Sequence, residues 1–399
     1  MKKEMRKIVD IVAKRLLTVS GFVTSVVILL IVGFLFTEGA GLFRSKVIEE
    51  GYVLAVNPEN PVNALTAAEI KDVFDEEITN WKEVGGKDES ISLFRLEDME
   101  KRFTPEQLGA QYEHCGTLLD SLIAADSRII AFVPKKLVEG QQKMKFLDDN
   151  NISLGEVLGG TEWFPTAAPS PIFGILPLVL GTLWVSLVAI LIALPFGISI
   201  AVYMSEMAGE RVRAMFRPVI ELLNGIPSVV YGFFGLIVIV PFLQNVLDLP
   251  VGESGLAGSI VLAIMALPTI VAVSEDAMRS CPRDMREASL ALGATRWQTI
   301  RRVVIPYSSS GITSGVVLGI GRAVGETMAV LMVTGNAAVM PTTIFEPLRT
   351  IPATIAAELG EAPAGGAHYQ ALFLLGVILF VITFLINSCV SYISARNRR

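Results

Sequence analysis

Arg322 and Glu326 are the only charges in the run 308–334, which is otherwise apolar enough to cross a membrane. An unpaired arginine at mid-bilayer costs about 2.5–3.5 kcal/mol on insertion scales, so this one should face protein or water rather than lipid. On a continuous helix, seven residues carry Gly315 round to Arg322 within about 20° of the same face, with Glu326 about 40° further on. Gly311, Gly315 and Gly319 form a small-xxx-small ridge along that side, where a neighbouring helix can approach closely. The guanidinium offers fixed positive charge and a planar fork for a phosphate-type oxyanion. Glu326 would hold that fork in place and keep the anion from binding too tightly. The plainer alternative is a self-neutralised i, i+4 ion pair that only locks helix packing.

A second pattern lies in residues 287–306, EASLALGATRWQTIRRVVIP, a polar and basic stretch between two apolar runs. A short helix carrying Glu287 and Ala288 should end at Gly293, a residue free to take positive φ. A second short helix then carries Arg296, Trp297, Ile300, Arg301 and Arg302, and Pro306 suits the first turn of the next span. Such a knob suits the grip of another protein, although a basic loop can also serve only to set topology. Upstream, Gly225-Ile226-Pro227 should break or kink the third span near the membrane surface. A broken helix exposes backbone dipoles usable at a gate. Glu221, just before it, is readily explained as a snorkelling carboxylate. No G-x-x-x-x-G-K-[ST] occurs, so ATP cannot be held here in a P-loop.

The elements that must position these residues are membrane helices. Apolar residues make up 52% of the 399-residue chain against 18% charged, and the mean hydropathy is +0.56, too apolar for a soluble protein of this length. Six runs can span about 30 Å of hydrocarbon: 16–36, one from about Gly174 within 163–205, one within 222–247, 254–274, 308–334 and 369–393. The first is expected to be a retained anchor, since no clear cleavage site follows its long apolar core. Lys and Arg concentrate at the start of the chain (Lys2, Lys3, Arg6, Lys7, Lys14, Arg15), after the second span (Arg211, Arg213, Arg217), in the loop 276–306, and at Arg396, Arg398 and Arg399. With six spans all four groups share one side, and the positive-inside rule makes that side cytoplasmic. Cys115, Cys281 and Cys389 are odd in number and scattered, so neither a disulfide framework nor a metal site is expected, and His114-Cys115 is taken as ordinary surface or core chemistry.

Residues 37–172 are expected to form an extracytoplasmic α/β domain between the first two spans, with 24 Asp/Glu against 13 Lys/Arg from Glu38 to Glu162. Tyr52–Val56, Ile91–Phe94 and Arg128–Val133 are strand-like, Asp120–Ala125 looks helical, and Thr66 with Glu69 forms a capping box for a helix over Ala67–Phe74. The organisation expected is thus a cytoplasmic start (1–15), a first span (16–36), this domain (37–172), a five-span core (173–395) and a tail (396–399).

The 287–306 pattern of Glu287-Ala288-Ser289, Gly293 and Val303-Val304-Ile305-Pro306 resembles the E-A-A loop of ABC importer permeases, with Ser289, Val303 and Ile305 as mild departures. NPVNALTAAEIKDVFDEEITNWKEVGG, residues 60–86, resembles a segment of periplasmic phosphate-binding proteins. Where that family places Ser, Thr and Gly around its anion, this chain has RLEDMEKRFTPEQLG, and Glu97, Asp98 and Glu100 would repel one. A domain of binding-protein type that does not bind phosphate is therefore expected, acting as a docking platform or external gate; the alternative is a scaffold insertion without a role. ELLNGIPSVVYGFFGL, GRAVGETMAVLMVTGN and the TEWFPTAAPSPIFGILPL entry to the second span resemble phosphate ABC importer permeases of the PstC type.

That resemblance implies a mainly α membrane protein with six transmembrane helices of ABC importer permease type and an extracytoplasmic α/β insert. It implies a transport subunit rather than an enzyme, moving inorganic phosphate, with Arg322 and Glu326 on the substrate path. Glu287, Ala288, Gly293, Arg296 and Trp297 would couple to an ATPase, and Gly225, Pro227, Gly315 and Gly319 would serve gating or packing. The implied partners are a second, PstA-like permease, an ATPase dimer that holds ATP and Mg, a phosphate-binding protein and membrane lipid, with no nucleic acid. Rivals are a permease for molybdate or sulfate, a membrane receptor, and an intramembrane protease, for which the spans hold no credible Ser–His or paired-Asp arrangement.

Overall fold

Six helices among the described residues are long and apolar enough to cross a membrane: Ile11–Arg44, Leu176–Met207, Ser228–Leu247, Gly255–Arg279, Arg296–Gly325 and Ala367–Tyr392. The computed structural model describes residues 2–109, 112–140 and 143–396, and Arg398 and Arg399 of the basic tail lie outside them. The first span belongs to an unbroken helix, Lys2–Gly41, so residues 2–15 are part of the same helix. At 1.5 Å per residue that helix is about 60 Å long, roughly twice the hydrocarbon thickness. Leu17, Phe22 and Leu29 are exposed along it, as lipid-facing positions should be. It leans on the sixth span, where the Phe34 ring meets Phe373 edge-on at 5.4 Å.

The second, fourth and fifth spans form the centre. Lipid is as apolar as leucine, so helices associate in a bilayer by close backbone approach. Small residues permit it here: Ala189, Ala193, Ala263 and Ala266 are all buried, and a Cβ on Gly197 would sit 2.8 Å from Ile270 Cγ2. Two buried hydroxyls bond back into their own helices, Thr182 to the Leu178 carbonyl and Ser259 to the Gly255 carbonyl, each at 2.7 Å. The fifth span differs from the run expected over 308–334. Its helix ends at Gly325, Glu326 is extended (φ −70, ψ 133), and a separate short helix follows at Met328–Val333.

Between the first two spans a four-stranded sheet has the order β2-β3-β1-β4, from β1 (Tyr52–Val56), β2 (Ser92–Arg95), β3 (Ile129–Pro134) and β4 (Lys145–Phe146). β3 runs antiparallel to β1 and parallel to β2. The capping box closes both ways, with Thr66 Oγ1 accepting from the Glu69 amide at 3.3 Å and Glu69 Oε2 from the Thr66 amide at 2.8 Å. Strand alternation divides the core. Ala55, Ala131 and Val133 face Met99, Leu119 and Ile123, while Leu54, Val56 and Ile130 face Ile70, Phe74 and Trp81. Cys115 is buried in the first layer, and burial pushes its thiol pKa up, so it behaves as a small apolar side chain. The second layer does not stop at the domain: the same apolar cluster takes in Leu178 of the second span, Ile351, and Leu372 and Leu375 of the sixth.

A polar clasp reinforces that joint. Glu358, in the helix Ile351–Glu358 between the fifth and sixth spans, accepts from Trp163 Nε1 at 2.9 Å and from Arg349 Nη1 at 2.6 Å, and His368 Nε2 lies 2.9 Å away. Burial alone would raise the Glu358 pKa, but the His368 and Trp163 hydrogen bonds and the Arg349 charge outweigh it and hold the carboxyl below its ordinary value. A lowered folded-state pKa stabilises above the unfolded value of about 4.5, and that contribution fades as pH falls through the lowered value. Glu358→Gln, which leaves Arg349 without its counter-charge, should therefore cost about 2–3 kcal/mol at neutral pH. Thermal unfolding of the detergent-purified chain checks this: the gap between parent and variant should be full at pH 7 and shrink as the pH falls below about 4.5.

Candidate functional site

The guanidinium of Arg322 is placed by the glycine face of its helix, Ile305–Gly325. A Cβ on Gly311 would collide with Ala277 Cβ, one on Gly315 would lie 3.2 Å from Ser274 Oγ, and one on Gly319 2.8 Å from Ile270 Cγ1. This face is therefore seated against the fourth span. Arg322 Nη1 then reaches Asn224 Oδ1 at 3.3 Å and Thr269 Oγ1 at 3.4 Å, and the Thr269 hydroxyl itself donates to Asn224 Oδ1 at 3.0 Å. Thr269 lies ten residues, about 15 Å, before the Arg279 end of its 25-residue helix, which puts the cluster near the middle of the bilayer.

Glu326 does not hold the fork. The helix has ended one residue earlier, so the i, i+4 geometry is lost, and Glu326 Oε1 instead accepts from the Ala329 amide at 3.4 Å, at the start of the next short helix. Among the described residues no carboxylate comes within 4.0 Å of Arg322. The ion-pair alternative falls with it: the guanidinium is held by two uncharged side chains from other helices. Pattern reading missed Asn224 and Thr269, and their only sequence mark is polarity inside apolar segments.

Asn224 stands immediately before a break in the chain. The helix Glu210–Gly225 stops, Ile226 is extended (φ −69, ψ 128), and the third span restarts at Ser228 after Pro227. Proline favours this twice, by lacking an N–H and by pushing the residue before it out of the α region. Tyr231 braces the break by donating to the Leu223 carbonyl at 2.9 Å. Gly225 and Pro227 are exposed, whereas Gly315 and Gly319 are buried in helix packing.

The 287–306 loop is a helix–turn–helix. Arg283–Ala291 ends in a turn where Gly293 has φ +87, and Thr295 then caps Arg296–Thr299 with Gln298 in a capping box. That helix continues through a π turn, Ile300–Val304, straight into the fifth span, with Pro306 in its first turn. The Ser289 and Thr299 hydroxyls meet at 3.0 Å across the turn, so the departure at Ser289 ties its two limbs together. Glu287, Ala288, Gly293, Arg296 and Trp297 are all exposed, and Leu292 at 89% and Trp297 at 61% project apolar surface.

Behind the loop lie charges that the sequence reading left unassigned. Arg286 pairs with Glu206, at the end of the second span, at 3.0 Å, and it donates to the Met278 carbonyl at 2.8 Å. Glu275, with its side chain 4% exposed, sits 3.8 Å from Arg213 and 3.7 Å from Arg279. Arg217 joins Glu221 at 3.1 Å and Asp276 at 3.5 Å, so Glu221 is paired rather than snorkelling alone. These contacts fasten the helix carrying Glu287 and the one carrying Asn224 to the ends of the second and fourth spans. Because a Cβ on Gly319 would lie 2.8 Å from Cγ1 of Ile270, a fully buried side chain also packed against Gly197, Gly319→Ala should overpack the joint and cost about 1–3 kcal/mol, and Gly319→Leu should cost more. Thermal unfolding of the purified variants would read the difference.

Comparison with known proteins agrees with this architecture. Residues 193–399 match the family described as binding-protein-dependent transport system inner membrane component, and residues 34–127 match a PBP superfamily domain. The chain is 42% identical over 277 residues to the probable ABC transporter permease protein YqgH of Bacillus subtilis (strain 168), an alignment spanning 69% of this chain and 87% of that protein. It is 42% identical over 243 residues to the phosphate transport system permease protein PstC of Mesorhizobium japonicum, covering 56% of this chain and 74% of the relative. Among solved structures, an inward-facing MetNI methionine ABC transporter aligns with 55% of this chain and 94% of its own at a TM-score of 0.44 and 19% identity. With six helices among the described residues long and apolar enough to cross a membrane and a match over more than half its length, the chain belongs to the binding-protein-dependent transport system inner membrane component family.

Proposed function

We propose that this chain is a permease subunit of an ATP-driven importer that carries inorganic phosphate across the cell membrane. The observation that carries the substrate is Arg322, a cation near the bilayer centre with no carboxylate within 4.0 Å among the described residues. Such a group is expensive in a membrane and is retained where an anion is to be met. Similarity to phosphate permeases narrows that anion to phosphate. Arg322 stands on the path, and Glu326, at the turn beyond it, borders the path without pairing to the guanidinium.

The basic side of the membrane is cytoplasmic in this reading, which puts both termini and the helix–turn–helix loop there. A separate ATPase dimer, holding ATP and Mg, grips the exposed patch of Glu287, Ala288, Leu292, Arg296 and Trp297. The Arg286–Glu206 pair relays its movement to the second span. A PstA-like second permease completes the path, and a phosphate-binding protein delivers the anion on the far side, where the α/β domain is a docking platform or gate. Gly225 and Pro227 form the flexible element, and Gly315 and Gly319 the packed one.

The test is uptake of labelled phosphate by cells carrying the intact chain, Arg322→Ala or Glu287→Ala, with sulfate and molybdate as competitors. Both variants should lose at least about tenfold in uptake, equivalent to about 1.4 kcal/mol, with neither competitor effective. Uptake unchanged when the chain is deleted overturns phosphate as substrate. Uptake lost only in Glu287→Ala removes Arg322 from the path.

A further inference from the structure

We infer that Asn224 and Thr269 are the positioning residues of the Arg322 guanidinium, holding it uncompensated with one edge open to a tetrahedral oxyanion. This rests on the proposed oxyanion path. A buried or half-buried arginine is ordinarily steadied by a carboxylate, which cancels its charge as it fixes its position. Here both partners are neutral, so the side chain is fixed while its full charge remains. Both contacts are made by Nη1 alone. No described residue accepts from Nε or Nη2, the two donors that lie parallel and bind two oxygens of one anion at once.

The orientation of Asn224 follows from its neighbours. Two donors, Thr269 Oγ1 at 3.0 Å and Arg322 Nη1 at 3.3 Å, converge on Oδ1, so the amide must turn its oxygen to them and its NH2 group away. That NH2 group has no hydrogen-bond partner among the described residues, leaving two further donors on Asn224 unused. Arg322, Asn224 and Thr269 are each only half-buried, so the cluster is reachable rather than sealed.

Asn224 is one residue from the end of the helix Glu210–Gly225, whose Arg213 and Arg217 lie against Glu275 and Asp276 of the fourth span, the helix that also carries Thr269. Both supports of the guanidinium are thus tied to one joint, and Arg322 is seated on the same span by the glycine face of its helix.

The test measures labelled uptake by the assembled importer in cells, for the parent, Asn224→Asp, Asn224→Ala, Thr269→Val, Thr269→Ser and Arg322→Ala. Phosphate, sulfate and molybdate are assayed in parallel, and each variant is normalised to the amount recovered in the complex. Asn224→Asp keeps size and hydrogen-bonding reach but supplies the missing carboxylate, so the KM for the transported anion should rise at least tenfold. Thr269→Val should raise KM several-fold with a smaller effect on the maximal rate, and Thr269→Ser, which keeps the hydroxyl, should restore it. The inference is overturned if Asn224→Asp and Thr269→Val keep the parental KM while Arg322→Ala abolishes uptake. It is overturned equally if Thr269→Ser is as impaired as Thr269→Val. A parent that takes up sulfate or molybdate in place of phosphate defeats the substrate assignment, and the same KM series on that anion still decides the positioning role.

Discussion

The close approach of the fifth span to the fourth governs everything near the membrane centre. Without a hydrophobic drive between helices in lipid, contact depends on backbones coming near enough for dispersion to act over a long seam. Gly311, Gly315 and Gly319 supply that seam, and their missing side chains are the space that Ala277, Ser274 and Ile270 occupy. Once the helix is seated, the direction of Arg322 is no longer a matter of choice. Its guanidinium reaches Thr269 on the helix against which the glycines pack, and Asn224 at the nearby break. A bulkier face would move the cation away from both.

Toward the basic side, the structure changes from close packing to paired charge. Arg286–Glu206, the Glu275 cluster and Arg217–Asp276 occupy the level where helices end and the loop begins. Apolar packing is tolerant of small slides, whereas charge pairs at about 3–4 Å have defined partners and so transmit direction. Toward the opposite side the reverse holds. One apolar cluster passes from the sheet domain into the spans, and the Glu358 clasp reinforces it.

Local physics made much of the fold legible in the sequence. The Thr66–Glu69 capping box, the strand Tyr52–Val56, the positive φ at Gly293 and the break at Pro227 are each set by a residue and its near neighbours. The error at Glu326 has an equally local origin: counting 3.6 residues per turn through Gly325 assumes a helix that in fact stops there. What stayed hidden joins distant positions. Asn224 and Thr269 are 98 and 53 residues from Arg322, and Trp163 is 195 residues from Glu358. No periodicity in one sequence links such pairs, and a polar residue inside a span shows only that it needs a partner.

The apolar layer shared by the sheet domain and the spans has a consequence for biogenesis. The chain is made from its N-terminus, so the sheet domain is synthesised before the sixth span exists. Yet Leu54, Val56, Ile70 and Trp81 share their packing with Leu372 and Leu375 of that last span, and Trp163 with Glu358 shortly before it. The domain thus holds an unfinished face until translation is nearly complete. A chain truncated before Ala367 would display that face to chaperones and proteases outside the membrane, so the final span acts as a seal certifying that the whole polypeptide has been inserted.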